Sequence, residues 1–277
     1  MEKFTFYKYS GHGNDFVIVD NWEGLVPEKD MSKIAKLMCR PKFGVGADGA
    51  VFIIPGPDDV DFAWRFFNAD GSEADMCGNA GRCTAHLANT IGIAPAEMSF
   101  KTKIGIVEAV VSEHTVKVLL PKIGRPEGAA LVEAEGVSLT YHRLNTGVPH
   151  AVAWLEDLES INAVKVGRAV RRHPAFAPDG ANINFVKILD KNKLAIRTYE
   201  RGVEDETLAC GTGAAAAAIL AAAQGLITSN TVTCRTKGGD DLIINLEGPL
   251  NAPEKVFLEG QVRFLFTGQV EVDLFLK

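Results

Sequence analysis

The sequence predicts an α+β fold of two pseudo-symmetric repeats, each a mixed, mostly antiparallel β-sheet or barrel wrapped around a central helix. Three observations predict it. First, the 277-residue chain holds two Cys-Gly steps that open runs of small residues, Met76-Cys77-Gly78-Asn79-Ala80-Gly81 and Ala209-Cys210-Gly211-Thr212-Gly213-Ala214, with the cysteines 133 residues apart. Second, an offset of 133 or 134 recurs along the chain. Gly13-Asn14-Asp15-Phe16-Val17 falls opposite Gly147-Val148-Pro149-His150-Ala151, Pro41 and Phe43 fall opposite Pro174 and Phe176, and Lys101-Thr102-Lys103 recurs as Arg235-Thr236-Lys237. Third, both halves show the same order of strand-like and helix-like stretches, the mark of an internal repeat of domain size. The predicted boundaries are 1–124, with 262–277 returning to it, for the repeat carrying Cys77, and 125–261 for the repeat carrying Cys210.

Within each copy the elements follow in register. A strand mixing β-branched and aromatic residues comes first, at 15–20 or 150–155. A short helix follows at 30–39 or 160–171 and stops near Pro41 or Pro174, because the residue before proline is driven out of helical conformation. Two strands come next, at 50–54 and 62–68 or at 183–189 and 194–200. The cysteine helices then run to about 90 and 224, each meeting a glycine stop 15 residues past its cysteine, at Gly92 and Gly225. The second of these is small and apolar on every face, which predicts burial inside its own sheet. Strands at 107–119 and 231–246 complete the copies. Two more, at 262–266 and 270–276, are expected to pair back with the first half. The loop 201–207 reads as polar, with Glu204-Asp205-Glu206 solvated or flanking a lid.

Composition sets the broad class. A chain 47% hydrophobic and 23% charged has material for a sizeable core. Its net charge of −6 argues against nucleic acid as a main partner, since phosphate binding needs a positive surface. No apolar run reaches the roughly 18 residues of a membrane span, and the opening residues lack a signal-peptide pattern. Five cysteines at irregular spacing fit free thiols in a reducing cytoplasm.

The paired cysteines suggest chemistry. A helix start carries unpaired N–H groups and partial positive charge. A cysteine there has its thiolate stabilised, and the same N–H groups can hold a carboxylate. Two such starts facing one substrate grip a carboxylate between them and set a sulfur on each face of the adjacent carbon. One thiolate then removes the α-proton while the opposite thiol returns one. Sulfurs so placed are also expected to join as a Cys77–Cys210 disulfide on oxidation. Cys39, Cys83 and Cys234 have no comparable setting; no metal-ligand spacing involves them, and they read as packing. Gly211-Thr212-Gly213-Ala214-Ala215-Ala216 also fits a dinucleotide fingerprint, but a polar loop separates it from its strand, and the first repeat lacks the pattern.

Several motifs together resemble the diaminopimelate epimerase family of cofactor-independent amino-acid racemases and epimerases. They are Gly13-Asn14-Asp15-Phe16, Gly44-Val45-Gly46-Ala47-Asp48, Asn68-Ala69-Asp70-Gly71-Ser72, Met76 through Cys83, Pro149-His150, and Tyr199-Glu200-Arg201-Gly202 with Ala209 through Gly213. The resemblance implies a site in the cleft between the repeats, a homodimer, no cofactor or metal, and interconversion of LL- and meso-diaminopimelate on the route to lysine and peptidoglycan. It matches Cys77 and Cys210 to the acid–base pair, and Gly78, Asn79, Gly211 and Thr212 to the reacting carboxylate. Asn14, Asn68, Asn182, Glu200 and Arg201 match substrate-binding positions, and His150 a place near the site. Val148 and Gly49 depart from the family, which often has asparagine and glutamine there. Two other readings stay open: a racemase of another amino acid with the same mechanism, and a non-catalytic amino-acid-binding protein.

Overall fold

The structure, a computed structural model, describes residues 3–120 and 123–271. It divides into two compact units, Met1–Val118 with Gly260–Lys277, and Leu119–Glu259.

In the first unit, strands β1 (Lys3–Gly11), β2 (Asn14–Asp20), β3 (Gly49–Ile54), β4 (Phe62–Asn68), β5 (Glu97–Thr102), β6 (Gly105–Val111) and β7 (Thr115–Leu119) pair in chain order. Only β2–β3 and β4–β5 are parallel. In the second unit, β8 (Ala129–Ala134), β9 (Val137–Asn145), β10 (Pro149–Trp154), β11 (Asn182–Asp190) and β12 (Lys193–Glu200) also pair in order, with β10–β11 parallel. A three-residue strand β13 (Asp205–Thr207) pairs with one end of β12. The other end runs parallel to β14 (Thr231–Arg235), which continues into β15 (Asp241–Glu247) and β16 (Lys255–Gln261). Last comes β17 (Arg263–Glu271), antiparallel to β1. The two ladders therefore share one sequence of senses, with β17 standing to β1 as β8 stands to β9.

Each sheet is covered on both faces, so its inner strands read as apolar runs rather than alternating ones. On one face of the first unit, Val17, Val19, Ala50 and Phe52 pack with Ile34, Ala35 and Met38 of the outer helix α1 (Glu28–Cys39). The other face surrounds α2 (Gly78–Thr90), which meets β1, β2, β3 and β6. The second unit repeats the plan. Its outer helix α3 (Ala163–Arg171) packs Val166 and Val170 against Ala153, Ile183 and Tyr199, and its inner helix α4 (Gly211–Ala223) is buried from Gly213 to Ala222. No helix among the described residues is long and apolar enough to cross a membrane.

Both inner helices end alike. Gly92 and Gly225 adopt φ of +80° and +69°, a region open to glycine. Ile93 N donates to Ala88 O and Leu226 N to Ala221 O, each at 2.8 Å, closing a Schellman turn.

Several expectations are corrected. The helix expected from 160 starts at Ala163, because the Asn162 side chain caps it by accepting from Lys165 N at 3.0 Å. The pieces expected at 262–266 and 270–276 are one strand as far as Glu271, with 272–276 outside the described residues. The loop 201–207 contains β13, and its acids are engaged. Glu206 takes a two-point bond from Arg197 at 2.7 and 2.9 Å, and Glu204 pairs with Arg171 at 2.6 Å. Strands β1, β5, β8, β9 and β16 are additions that the sequence pattern does not predict.

Candidate active site

Cys77 and Cys210 are the N-cap residues of α2 and α4, each with extended backbone, φ −142° and −125°. Their carbonyls accept the first helical bonds, from Gly81 N at 2.8 Å and Ala214 N at 3.0 Å. The amides of Gly78 and Asn79, and of Gly211 and Thr212, precede those bonds and have no partner within their helices. Each helix start is therefore a donor cluster with a sulfur at its lip. Cys77 is half-buried and Cys210 buried.

The residues around Cys77 form one hydrogen-bonded chain. Asn14 Oδ1 lies 3.9 Å from Cys77 Sγ and accepts from Asn79 Nδ2 at 3.3 Å. Asn14 Nδ2 donates to Asp48 Oδ2 at 2.5 Å, and the same oxygen accepts from Asp15 N at 3.0 Å. Asn79 Oδ1 accepts from Arg82 Nη2 at 2.8 Å. The loop before β3 is tied down by Lys8, which reaches Gly46 O and pairs with Asp15 at 2.5 Å. Asn68 ends β4 opposite Gly49, and its side chain donates to Ser72 Oγ at 3.0 Å. The next residue's amide, Ala69 N, donates to Asp48 O at 3.1 Å. Asn14, Asn79 and Cys77 thus meet directly, while Asn68 joins them only through the Asp48 loop.

In the second unit the grouping differs. Cys210 Sγ lies 3.6 Å from Thr212 Oγ1. Asn182 Oδ1 accepts from Arg201 N at 2.7 Å, so this amide holds backbone. The strand ends at Glu200, and the chain turns through Arg201 and Gly202, whose φ is +94°. That turn lifts the strict opposition of adjacent strand side chains, and Arg201 Nη1 donates to Asp179 O at 3.3 Å. Burial raises the Glu200 carboxyl above its ordinary value.

His150 is wholly buried. Asn184 Nδ2 donates to its Nδ1 at 3.1 Å, which leaves the ring proton on Nε2. That nitrogen is buried without a hydrogen-bond partner, and His150 borders a cavity of about 160 Å³ with Arg143, Asn145, Phe176 and Gly180. Burial, and then the Arg201 charge, push the imidazole down to about 3, so it is neutral near pH 7. Cys210 does not line this cavity.

Two glycines have packing reasons. A Cβ on Gly211 would stand 2.4 Å from Leu258 Cδ2, so the residue after Cys210 is small because Leu258 fills the space. A Cβ on Gly49 would meet the Phe66 ring at 2.7 Å and Phe67 O at 2.8 Å. Position 49 is therefore kept small by β4. Val148 lies in the turn between β9 and β10, opposite Asn14 in the repeat.

Sequence reading misses Arg82, His12, Asp48 and Asn184 as site residues. Arg82 lies inside a quoted motif three residues after Asn79, on the same helix face, but an arginine alone carries no sign that it is buried. Burial lifts Cys39, Cys83 and Cys234 to about 12, as packing thiols.

Comparison with known proteins gives the same direction. The sequence profile of the family described as Diaminopimelate epimerase matches residues 6–126 and 143–264. A protein of that name from Aquifex aeolicus (strain VF5) is 42% identical over 280 residues, covering 97% of this chain and 98% of its own. One from Campylobacter jejuni is 40% identical, covering 94% and 96%. Among solved structures, a phenazine biosynthesis protein of the PhzF family from Bacillus anthracis aligns over 98% of this chain and 100% of its own, with TM-score 0.72 at 16% identity. A hydroxyproline epimerase from Agrobacterium vitis covers 98% and 93%, with TM-score 0.67 at 15%. At such low identity these two show a shared fold. The two-repeat α+β architecture, the motif order and the near full-length match lead to one conclusion: this chain belongs to the diaminopimelate epimerase family.

Proposed function

We propose that the protein interconverts LL- and meso-diaminopimelate by two-base proton transfer at the α-carbon, with Cys77 and Cys210 as the acid–base pair, on the route to lysine and peptidoglycan precursors. The observation that carries this reading is the matched placement of two thiols as N-caps of equivalent helices with open first-turn amides. The amides of Gly78, Asn79, Gly211 and Thr212 hold the reacting carboxylate. One thiolate takes the α-proton as the Cα–H bond breaks, and the electron pair spreads onto the carboxylate, where the helix starts stabilise it. The opposite thiol then delivers its proton to the other face, leaving the two sulfurs with exchanged protonation. Asn14, Asn68, Asn182, Glu200 and Arg201 bind the substrate, several of them at its distal amino-acid end. An arginine pairs a carboxylate at two points, and a carboxylate pairs an ammonium. His150, neutral and buried, shapes the pocket without exchanging protons. The active species is a cytoplasmic homodimer.

The test is turnover in heavy water, where deuterium enters the α-position of diaminopimelate and the two stereoisomers interconvert. Absence of exchange by the native protein refutes the reading. Val148, which gives the turn after β9 no amide, favours a second reading, racemisation of a different amino acid. Exchange confined to diaminopimelate across a panel of amino acids disposes of it.

A further inference from the structure

Arg82 is fully buried on α2, yet among the described residues no carboxylate pairs with it. Its Nη2 donates to Asn79 Oδ1 at 2.8 Å and to His12 Nδ1 at 3.1 Å, while Nε and Nη1 have no hydrogen-bond partner. A guanidinium in the interior is costly unless an opposite charge or a full set of acceptors answers it. We propose that Arg82 is the positioning residue of Cys77: it fixes the polarity of the Asn79–Asn14 amide pair and supplies the buried positive charge that balances the Cys77 thiolate. This rests on Cys77 being one of the two acid–base thiols.

The amide polarity follows from the ends of the chain. Arginine only donates, so Asn79 turns its oxygen to Arg82 and its NH₂ to Asn14. The Asp48 carboxylate only accepts, so Asn14 turns its NH₂ that way. Both constraints leave the Asn14 oxygen facing Cys77 Sγ, where it aims the thiol proton. The charge argument is independent. The groups around Arg82 that can carry negative charge are the Cys83 and Cys77 sulfurs. Cys83 is fully buried and pushed up to about 12, so it stays a thiol and Cys77 remains. The other titratable groups facing this region are Tyr9 and His12 from β1 and its turn, and Asp15 and Asp48 beside Asn14. The buried residues of β3 and β6 are apolar. Burial lowers the Arg82 pKa, and a thiolate opposes that. The second unit has no such device, since Ala215 stands at the matched place in α4.

The experiment is peptide-mapped alkylation by iodoacetamide as a function of pH, in chains keeping one of the two thiols. In Cys210→Ala, adding Arg82→Gln raises the Cys77 midpoint by about 1 pH unit, whereas Arg82→Lys keeps the charge and most of the native midpoint. In the otherwise native chain, Arg82→Gln lowers kcat/KM about tenfold at pH 7, because a midpoint about 1 pH unit higher leaves a tenth of the thiolate. An unshifted Cys77 midpoint in folded Arg82→Gln protein overturns the assignment. So does an equal rise at Cys210 when Arg82→Gln is added to Cys77→Ala. Should Arg82→Gln fail to fold, the single-thiol chains decide: Cys77 ionises at lower pH than Cys210, and the reverse order refutes the proposal. These maps need no turnover, so they stand apart from the heavy-water assay on which the epimerase reading depends.

Discussion

The inner helices of the two units hold the same place in the same ladder and end in the same Schellman turn, yet their interiors are opposites. Helix α4 is a rod of alanine, buried from Gly213 to Ala222 and polar only at its start. Helix α2 carries Asn79, Arg82 and Thr84 into the interior and ties Asn79 and Arg82 to β2 and the turn after β1. The fold therefore asks little of this position beyond a helix thin enough for strands to close round it. Identity is demanded at the N-cap, where both helices keep Cys-Gly. Everything after the first turn is free to serve the particular half-site, and only the first unit uses that freedom.

The largest expected effects test the shared part. Cys77→Ala and Cys210→Ala each lower kcat by about 10⁴-fold or more, to a similar extent, in the heavy-water exchange assay. A variant that keeps a tenth of native activity breaks the two-thiol equivalence. Next comes the part that differs. Ala215→Arg places a guanidinium where α4 offers no asparagine and no histidine. It costs about 3–5 kcal/mol in urea unfolding, and a stability within about 1 kcal/mol of native would show that the second unit tolerates a buried charge after all.

His150 sharpens the comparison through pH. Its folded pKa of about 3 lies below the ordinary 6.5, so below pH 6.5 the unfolded chain binds a proton that the folded chain refuses. Stability is lost as pH falls from about 6.5 towards 3, by up to about 1.4 kcal/mol per pH unit. In His150→Gln that slope flattens, as read from Tm at about pH 6.5, 5.5 and 4.5. Gly49→Gln destabilises by about 1–3 kcal/mol because the Phe66 ring and Phe67 carbonyl occupy its path. Last are the outer helices. Helix α1 starts at Pro27 with no side-chain cap, whereas Asn162 caps α3. Asn162→Ala costs about 1 kcal/mol by thermal melt, and a neutral result would make the two starts equivalent.

Much of this is legible in the sequence because repetition is visible without knowing what is repeated. The constant offset locates both inner helices, their glycine stops and the strands on either side. Legibility fails where a feature belongs to one copy only. Strand β13 is reduced in the first half to a single bridge at Phe67 and Glu73, although Arg65 and Glu73 there repeat the Arg197–Glu206 pair. Strands β8 and β9 lie at the seam between copies, where alternation is weak and half of β8 and a third of β9 are exposed. The candidate site is legible to the level of residue type. The direction of each amide is not, because it depends on Asp48 and Arg82 standing at opposite ends of one hydrogen-bonded chain. The packing role of Gly49 and Gly211 is not legible either, because their neighbours Phe66 and Leu258 come from other strands, and side-chain volume across a sheet leaves no local trace.

The pairing of β17 with β1 has a consequence for manufacture on the ribosome. Strand β1 gains the neighbour on its second edge only after the whole second unit has been translated, since β17 begins at Arg263. Strand β9 has its neighbour, β8, already in hand. The second unit can therefore close from contiguous chain while the first waits with one edge of β1 open. Domains generally mature in the order they are synthesised, but in this protein the half that emerges first is the half that is finished last.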